Sequence, residues 1–484
     1  MRRSIKRLSL IVIFLGLLWV MHYAWVSFPI ITGYSAKQMC TCVFVSQRDK
    51  QDVDTSDLAD FPFKLAGNKV DYQDSSVTSS IWGMAKKQAI YRKGVGCTLI
   101  NNISEQQLRS QSFTIPVPPL QNTDTIVWPN GDKIVDTFPL AINKNRLEVA
   151  VDNAFTEPYP GKKQRTRAVI ILYNDQLIAE KYAPGFDKNT KMYGWSMAKS
   201  FTAALIGTLV QQNKLNVMQP APVAEWSDAN DPRHAITIEN LLQQTSGLDF
   251  LEDYTKAGDV TNMLYKEDDM AAFTARHELA HTLGTVFNYS SGNSNILSRI
   301  VRQTVGEENY AAYPFNALFY KIGMFHTVFE PDASGTYVGS SYINATARDY
   351  ARFGLLYYND GIWNGERILP EGWVKQTSTS PKSNKLKNYG YQFWLNGLDK
   401  ENPLQRKYPD VPADMFYCDG YAYENIYIIP SKRLVVVRLG LTLDHSFDEN
   451  AFLKSIIESI NDQVNASFTS IELQFKSVCN LIYL

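Results

Sequence analysis

Gly194-Trp195-Ser196-Met197-Ala198-Lys199-Ser200-Phe201, running on into the apolar stretch from Thr202 to Val210, governs how the whole chain is read. Met197, Phe201, Leu205, Ile206 and Leu209 recur close to helical spacing, so Ser196 is expected to open a buried helix. Lys199 then stands one turn above Ser196. A serine hydroxyl is a poor nucleophile at neutral pH, and an amine three residues on, partly desolvated by an apolar helix, can accept or relay its proton. That is the Ser-x-x-Lys arrangement of acyl transfer. Taken alone, the tetrapeptide fits equally a serine N-cap followed by a solvated lysine, and the surrounding chain has to choose.

Just before it, Arg167 to Glu180 forms two β-rich runs around Asn174-Asp175, a hairpin signal that leads straight into the Ser196 helix. Near the other end, Tyr427 to Val437 is a second strand–turn–strand unit, and Phe452 to Ile460 reads as a closing amphipathic helix. Between them lie helical segments over Ile238–Leu248, Asn293–Thr304 and Ala347–Tyr358. Strands at both ends with helices between them predict an α/β domain over 151–462, whose antiparallel sheet joins first and last strands beside a helical insertion.

The 484 residues carry a net charge of -1, with 45% hydrophobic and 20% charged side chains. This is an ordinary globular balance without the basic excess that nucleic acid requires. The N-terminus differs. Arg2, Arg3, Lys6 and Arg7 precede a largely apolar run from Leu8 to Ile31, long enough to span a bilayer, and Ile31 to Ala36 offers no small-x-small cleavage site. Residues 1–33 are therefore expected to be an uncleaved signal anchor, with the body outside the cytoplasm on the periplasmic side; cleavage and secretion is the alternative. Residues 34–150, with a strand-like Thr41-Cys42-Val43-Phe44-Val45, are read as a layer packed on the catalytic domain, and 463–484 as a patternless tail. Of the five cysteines, Cys40, Cys42, Cys97, Cys418 and Cys479, an oxidising compartment lets Cys40 or Cys42 pair with Cys97.

Two further stretches carry polar chemistry. Phe287-Asn288-Tyr289-Ser290-Ser291-Gly292-Asn293-Ser294-Asn295 is a polar loop before an apolar run. A tyrosine there, brought near Lys199, has its phenolate favoured and can act as base toward Ser196, with Ser291 completing the proton network. Phe416-Tyr417-Cys418-Asp419-Gly420-Tyr421-Ala422-Tyr423 precedes the last strands. A strand edge of this kind can supply a backbone N–H that forms an oxyanion hole with the Ser196 N–H, and Gly420 allows close approach of substrate.

In this order, Trp195-Ser196-Met197-Ala198-Lys199, Leu241-Leu242-Gln243-Gln244-Thr245-Ser246-Gly247-Leu248, Tyr289-Ser290-Ser291 and Gly339-Ser340-Ser341-Tyr342 through Gly354 resemble the β-lactamase-related serine hydrolases. The branch resembled contains class C β-lactamases, D-alanyl-D-alanine carboxypeptidases, related esterases and 6-aminohexanoate-dimer hydrolases. The resemblance implies a β-lactamase-like, penicillin-binding transpeptidase-like fold and an acyl-enzyme that cleaves a small ester or amide. It also implies that Ser196 is the nucleophile, Lys199 its proton partner and Tyr289 the base. Ser291 and Trp195 would then belong to the proton network or substrate site, and Gly420 and Tyr421 to the oxyanion strand. Ser291 stands where penicillin-recognising members usually have asparagine. Cys418-Asp419-Gly420 stands where β-lactamases have Lys-Thr-Gly, which removes the cation that attracts a β-lactam carboxylate. Gln244 replaces a common histidine at a position read as structural. No cofactor is implied.

A competing pattern is His277-Glu278-Leu279-Ala280-His281, a full His-Glu-x-x-His match that on a helix would offer two imidazoles to zinc, with Glu278 as base. Gly284 extends the motif, but Phe287 stands where its third histidine would be, leaving Glu307 or Glu308 as the acidic ligand, and Leu283-Gly284-Thr285 breaks any helix. A zinc peptidase and a non-catalytic protein of the same fold are thus the alternatives to a metal-free serine hydrolase.

Overall fold

The computed structural model describes residues 2–119, 122–159 and 161–461; the expected tail and Cys479 lie outside them. The chain packs as two units. The first comprises Met1–Val117, Lys191–Ala317 and Thr327–Asn344, and the second Pro118–Thr190, Leu318–His326 and Ala345–Leu484.

The second unit is built on a six-stranded antiparallel sheet. Its spatial order is Trp394–Leu395, Phe416–Asp419, Asn425–Ile429, Leu434–Gly440, Thr166–Tyr173 and Gln176–Tyr182. The expected meeting of first and last strands is the pairing of Thr166–Tyr173 with Leu434–Gly440, in register from Tyr173 opposite Leu434. Asn174 and Asp175 take φ of 48° and 65°, the left-handed pair that a tight two-residue hairpin needs and that asparagine and aspartate tolerate. Alternate residues of the central strands face opposite sides. Val169, Ile171, Tyr173, Leu434 and Val436 bury against the helices Lys144–Ala154 and Glu449–Ile457. The opposite face takes Ala347–Tyr358, the helix expected there, so closely that a Cβ on Gly354 would lie 2.6 Å from Val435. The closing helix starts at Glu449, three residues before the sequence expectation, because Asp448 caps it by accepting from the Ala451 N–H.

In the first unit, one helix runs unbroken from Arg2 to Cys40 and continues as a wider π-type turn over Thr41–Val45. The strand expected at Thr41–Val45 is therefore helical. Its β-branched residues favour strand locally, but they continue an established helix, and Thr41, Cys42, Val43 and Val45 are buried there. The helix changes character along its length. Ile5, Leu10, Phe14, Trp19, Tyr23 and Trp25 are among its exposed apolar residues, and from Ile30 it is buried in the body. Among the described residues, one helix, Ile5–Val45, is long and apolar enough to cross a membrane, by length and composition only.

A four-stranded antiparallel sheet, Gly67–Asp71, Ser76–Ile81, Met84–Arg92 and Gly96–Leu99 in sequential order, packs along the buried half of this helix. Cys40 is disulfide-bonded to Cys97, which chooses between the two expected pairings, while the Cys42 sulfur accepts from Gln38 and Arg48. The ammonium of Lys37 is held by Glu330 at 2.6 Å, Tyr193 at 2.8 Å and Thr41 at 2.9 Å. Glu330 also accepts from Thr41, the Cys97 N–H and Asn344, so a buried carboxylate with several donors compensates a buried cation. Gly33 lets the helix approach its neighbour, since a Cβ there would stand 2.9 Å from Tyr265 Cβ.

Candidate active site

Ser196 sits in a single 3-10 turn, Trp195–Met197, which passes directly into the helix Ala198–Gln211. This helix is buried almost throughout, as expected from its apolar and small residues. Its hydroxyls are satisfied locally, with Thr202 donating to Ala198 O and Gly339 O. Trp195 has φ of 44°, a left-handed conformation that costs a bulky residue energy. Its ring is stacked on Tyr193 at 4.5 Å and lies parallel to Tyr34 at 5.9 Å, which holds the turn that presents Ser196. Trp195 thus forms part of an aromatic stack beside Ser196.

The step from turn to helix brings Lys199 Nζ to 3.0 Å from Ser196 Oγ, with the lysine side chain buried. The same nitrogen donates to Ser291 Oγ and to the Ser340 carbonyl, each at 3.0 Å, and lies over the Tyr289 ring, 4.8 Å from its centre. Four sequence-assigned residues, Ser196, Lys199, Tyr289 and Ser291, therefore converge. The proton accounting follows from the partners. Ser340 O can only accept, and Ser291 Oγ gives its own hydrogen to Glu252 and so accepts from Lys199. Two positions on Lys199 Nζ are committed, and the next points at Ser196 Oγ, where it holds a hydrogen or a lone pair according to charge. That is the geometry of a proton relay.

Tyr289 is held from both sides by Gln244. The Gln244 main-chain carbonyl accepts from the Asn288 N–H at 2.8 Å, and its side chain donates to Ser290 O and accepts from the Ser290 N–H. Asn293 Nδ2 donates to the same amide oxygen at 2.8 Å, and Ser290 caps the helix Ser291–Val305. An amide that donates and accepts at once is what this fully buried position uses, in keeping with a structural reading of Gln244.

Sequence reasoning missed three contributors. Glu252 accepts from both the N–H and the hydroxyl of Ser291, and Tyr254 O–H donates to Glu252 at 2.8 Å. Loss of solvent around the Tyr254 hydroxyl, then the Glu252 charge, raise its pKa well above the usual tyrosine value. The Ser340 carbonyl is the third. Gly420 and Tyr421 lie in the second unit, in the turn after Phe416–Asp419, where the Gly420 N–H donates to Glu424 O.

The zinc pattern fails on secondary structure. The helix Met270–Ala275 ends before His277, and 279–281 runs beside 247–248, with Leu279 opposite Leu248 and the His281 N–H donating to Gly247 O. His277 packs on Phe250 and Phe273, and its Nδ1 lies 3.1 Å from Phe273 O, whereas His281 is exposed. No shared helix face offers both imidazoles to one ion. Glu307 is engaged by Arg302 at 2.7 Å.

The family model described as Beta-lactamase matches residues 153–451. A 6-aminohexanoate-dimer hydrolase of Paenarthrobacter ureafaciens is 24% identical over 264 residues, covering 49% of this chain and 66% of that protein. Protein flp of Staphylococcus aureus strain MRSA252 is 33% identical over 139 residues, covering 28% of this chain and 27% of that one. The chain thus spans less than two thirds of the length of these curated relatives. A solved structure from Bacillus anthracis, provisionally described as a 6-aminohexanoate-dimer hydrolase, shares the fold with a TM-score of 0.52 at 18% identity, over 85% of this chain and 96% of that one.

Proposed function

Starting from a chain that belongs to the Beta-lactamase family and so to the β-lactamase-related hydrolases, we propose that it is a serine hydrolase cleaving an ester or amide through an acyl-enzyme on Ser196. The observation that carries this is the contact of Ser196 Oγ with Lys199 Nζ at 3.0 Å, on a lysine whose other hydrogens are engaged by Ser291 and Ser340. Ser196 Oγ attacks the substrate carbonyl and its proton passes into the Lys199–Tyr289 pair. The same proton leaves with the departing alcohol or amine, and water then releases the acid by the reverse route. Tyr289 acts as the base in this reading, with the Lys199 ammonium 4.8 Å from the centre of its ring. The Ser196 N–H is one oxyanion donor; assignment of the Tyr421 N–H as the other rests on the sequence pattern.

An amide substrate is favoured by the similarity to a 6-aminohexanoate-dimer hydrolase and by the serine, Ser291, at a position where penicillin-recognising proteins carry asparagine. Asp419 in place of a lysine argues against β-lactams. The N-terminal helix spans the membrane in this reading, with the hydrolase outside the cytoplasm. Its basic end, the exposed apolar stretch and the Cys40–Cys97 disulfide support that orientation. Cleavage near 31–36 would cut inside the buried half of the helix, which favours retention of the anchor.

The test is the intact mass of the protein after exposure to a fluorophosphonate. One adduct is expected, and it disappears in Ser196→Ala. An adduct that persists in Ser196→Ala, or no adduct in a folded protein, overturns the assignment.

A further inference from the structure

The N-terminal helix meets the body at a definite height. At 1.5 Å per residue, a hydrocarbon core of about 30 Å reaches from Arg7 to about Val26. At that level Lys266 Nζ donates to the Val26 carbonyl at 2.9 Å, and the Phe28 ring meets Trp82 edge-on at 6.0 Å. One turn further, Thr32 donates to Ala85 O at 2.7 Å, fixing the start of the strand Met84–Arg92 alongside the helix.

Trp82-Gly83 is the two-residue turn between Ser76–Ile81 and that strand, with φ of 50° and 81°. Such a turn ordinarily carries Asn-Gly or Asp-Gly, and tryptophan at its first position accepts backbone strain. No burial repays it, because Trp82 is 77% exposed and Met84 52%. Lys86 is exposed beside them, and Lys87 and Lys266 stand close enough that, after burial, the Lys266 charge further lowers the Lys87 pKa. Exposed aromatic and thioether groups beside an exposed lysine, Lys86, match the boundary between acyl chains and lipid phosphates, where tryptophan and basic side chains gather. Trp25, 83% exposed on the helix at the same height, has the same character.

We propose that the Trp82-Gly83-Met84 tip is a second membrane contact, seated in the outer leaflet beside the helix with the exposed Lys86 facing lipid phosphates, while Lys87, held by Asn101 Oδ1 at 2.6 Å, and Lys266 add positive charge behind it. The proposal rests on the reading that the N-terminal helix spans the bilayer. Helix and hairpin together fix both the height and the rotation of the unit that carries Ser196. Tyr34, which lies parallel to Trp195, follows Val26 by about 12 Å along the helix axis, so the nucleophile stands close above the headgroups.

The test uses the full chain in a Cys479→Ser background, reconstituted into phosphatidylcholine vesicles with and without phosphatidylglycerol. An environment-sensitive fluorophore is attached at Leu15→Cys, Met84→Cys or Gln73→Cys, the last at the opposite end of the same sheet. A lipid-borne quencher is expected to dim the Leu15 and Met84 labels alike and to spare Gln73, with aqueous iodide giving the reverse order. Quenching at Leu15 with a Met84 label that behaves like Gln73 overturns the hairpin contact and leaves the anchor standing. A Leu15 label untouched by the lipid quencher overturns the anchor and the contact together. Lys86→Glu is expected to reduce Met84 quenching in the anionic vesicles; equal quenching with and without that charge refutes the role of the lysines.

Discussion

Lys199→Met keeps the length of the side chain and removes the amine, so it separates proton handling from packing. The Ser291 hydroxyl and the Ser340 carbonyl each lose a charged donor, worth about 1.5–3 kcal/mol apiece. Against that, a buried ammonium no longer has to be stripped of water, a relief of several kcal/mol in effective terms. The two nearly offset, and with about 2–4 °C of melting temperature per kcal/mol for a body of this size, the midpoint should move by only a few degrees in either direction. Acylation should respond very differently. Loss of a positioned acid–base group lowers rates by about 10²–10⁴, or roughly 3–5.5 kcal/mol of barrier. The assay follows fluorophosphonate adduct formation over time by intact mass, beside a circular-dichroism melt. Labelling within about tenfold of the parent would show that Ser196 reacts without Lys199. A fall in labelling that merely tracks a large drop in melting temperature would make the lysine structural. Either result refutes the relay.

Two other perturbations test the supports. Gln244→Ala removes the bonds to Ser290 O, from the Ser290 N–H and from Asn293, leaving buried groups unpaired; a loss of about 3 kcal/mol in urea unfolding, with slowed labelling of Ser196 as the Tyr289 loop loosens, is expected. In the second unit, burial alone would raise the Asp132 carboxyl, but Arg352 at 2.7 Å, with Thr123 and Arg348, holds it at about 2, below its ordinary 3.8. The native state therefore binds fewer protons than the unfolded one, so this stabilisation is complete above about pH 4 and is lost as pH falls through 2, roughly 2 kcal/mol in all; Asp132→Asn should flatten that part of a melting curve taken from pH 5 to 2.

What could be read from the sequence was what lies close in the chain or is announced by residue type. Ser196 and Lys199 are three positions apart, so any helical path brings them together, and the apolar run after them required a buried helix. The pairing of Thr166–Tyr173 with Leu434–Gly440 was foreseeable because each is the apolar strand of a hairpin whose second edge still needs a partner. Glu252 gave no such signal. It lies 39 residues from Ser291 in an acidic loop, and only the fold brings its carboxylate to that hydroxyl. The Ser340 contact is made by a carbonyl, a group every residue carries. His277 to His281 misled in the opposite way, since a pattern that has meaning on a helix lies just past a helix end. The strand expected at Thr41–Val45 failed because local preference yielded to continuity with the helix before it.

The N-terminal apolar run shows why hydropathy could not divide that segment. Both halves are apolar, but their partners differ: the stretch before Trp25 faces outward, whereas Tyr34 stacks on Phe63 at 3.9 Å and lies parallel to Trp195. Lys37 reaches Tyr193, whose ring also stacks on Trp195, at 4.5 Å. A left-handed tryptophan next to Ser196 persists only where its surroundings over-determine it, and the helix supplies part of those surroundings. The buried half of the N-terminal helix is therefore a structural wall of the turn that carries Ser196. Removing residues up to Tyr34 to obtain a soluble body would take away a ring of that stack, so loss of activity in such a fragment would reflect the missing wall before it spoke against Ser196.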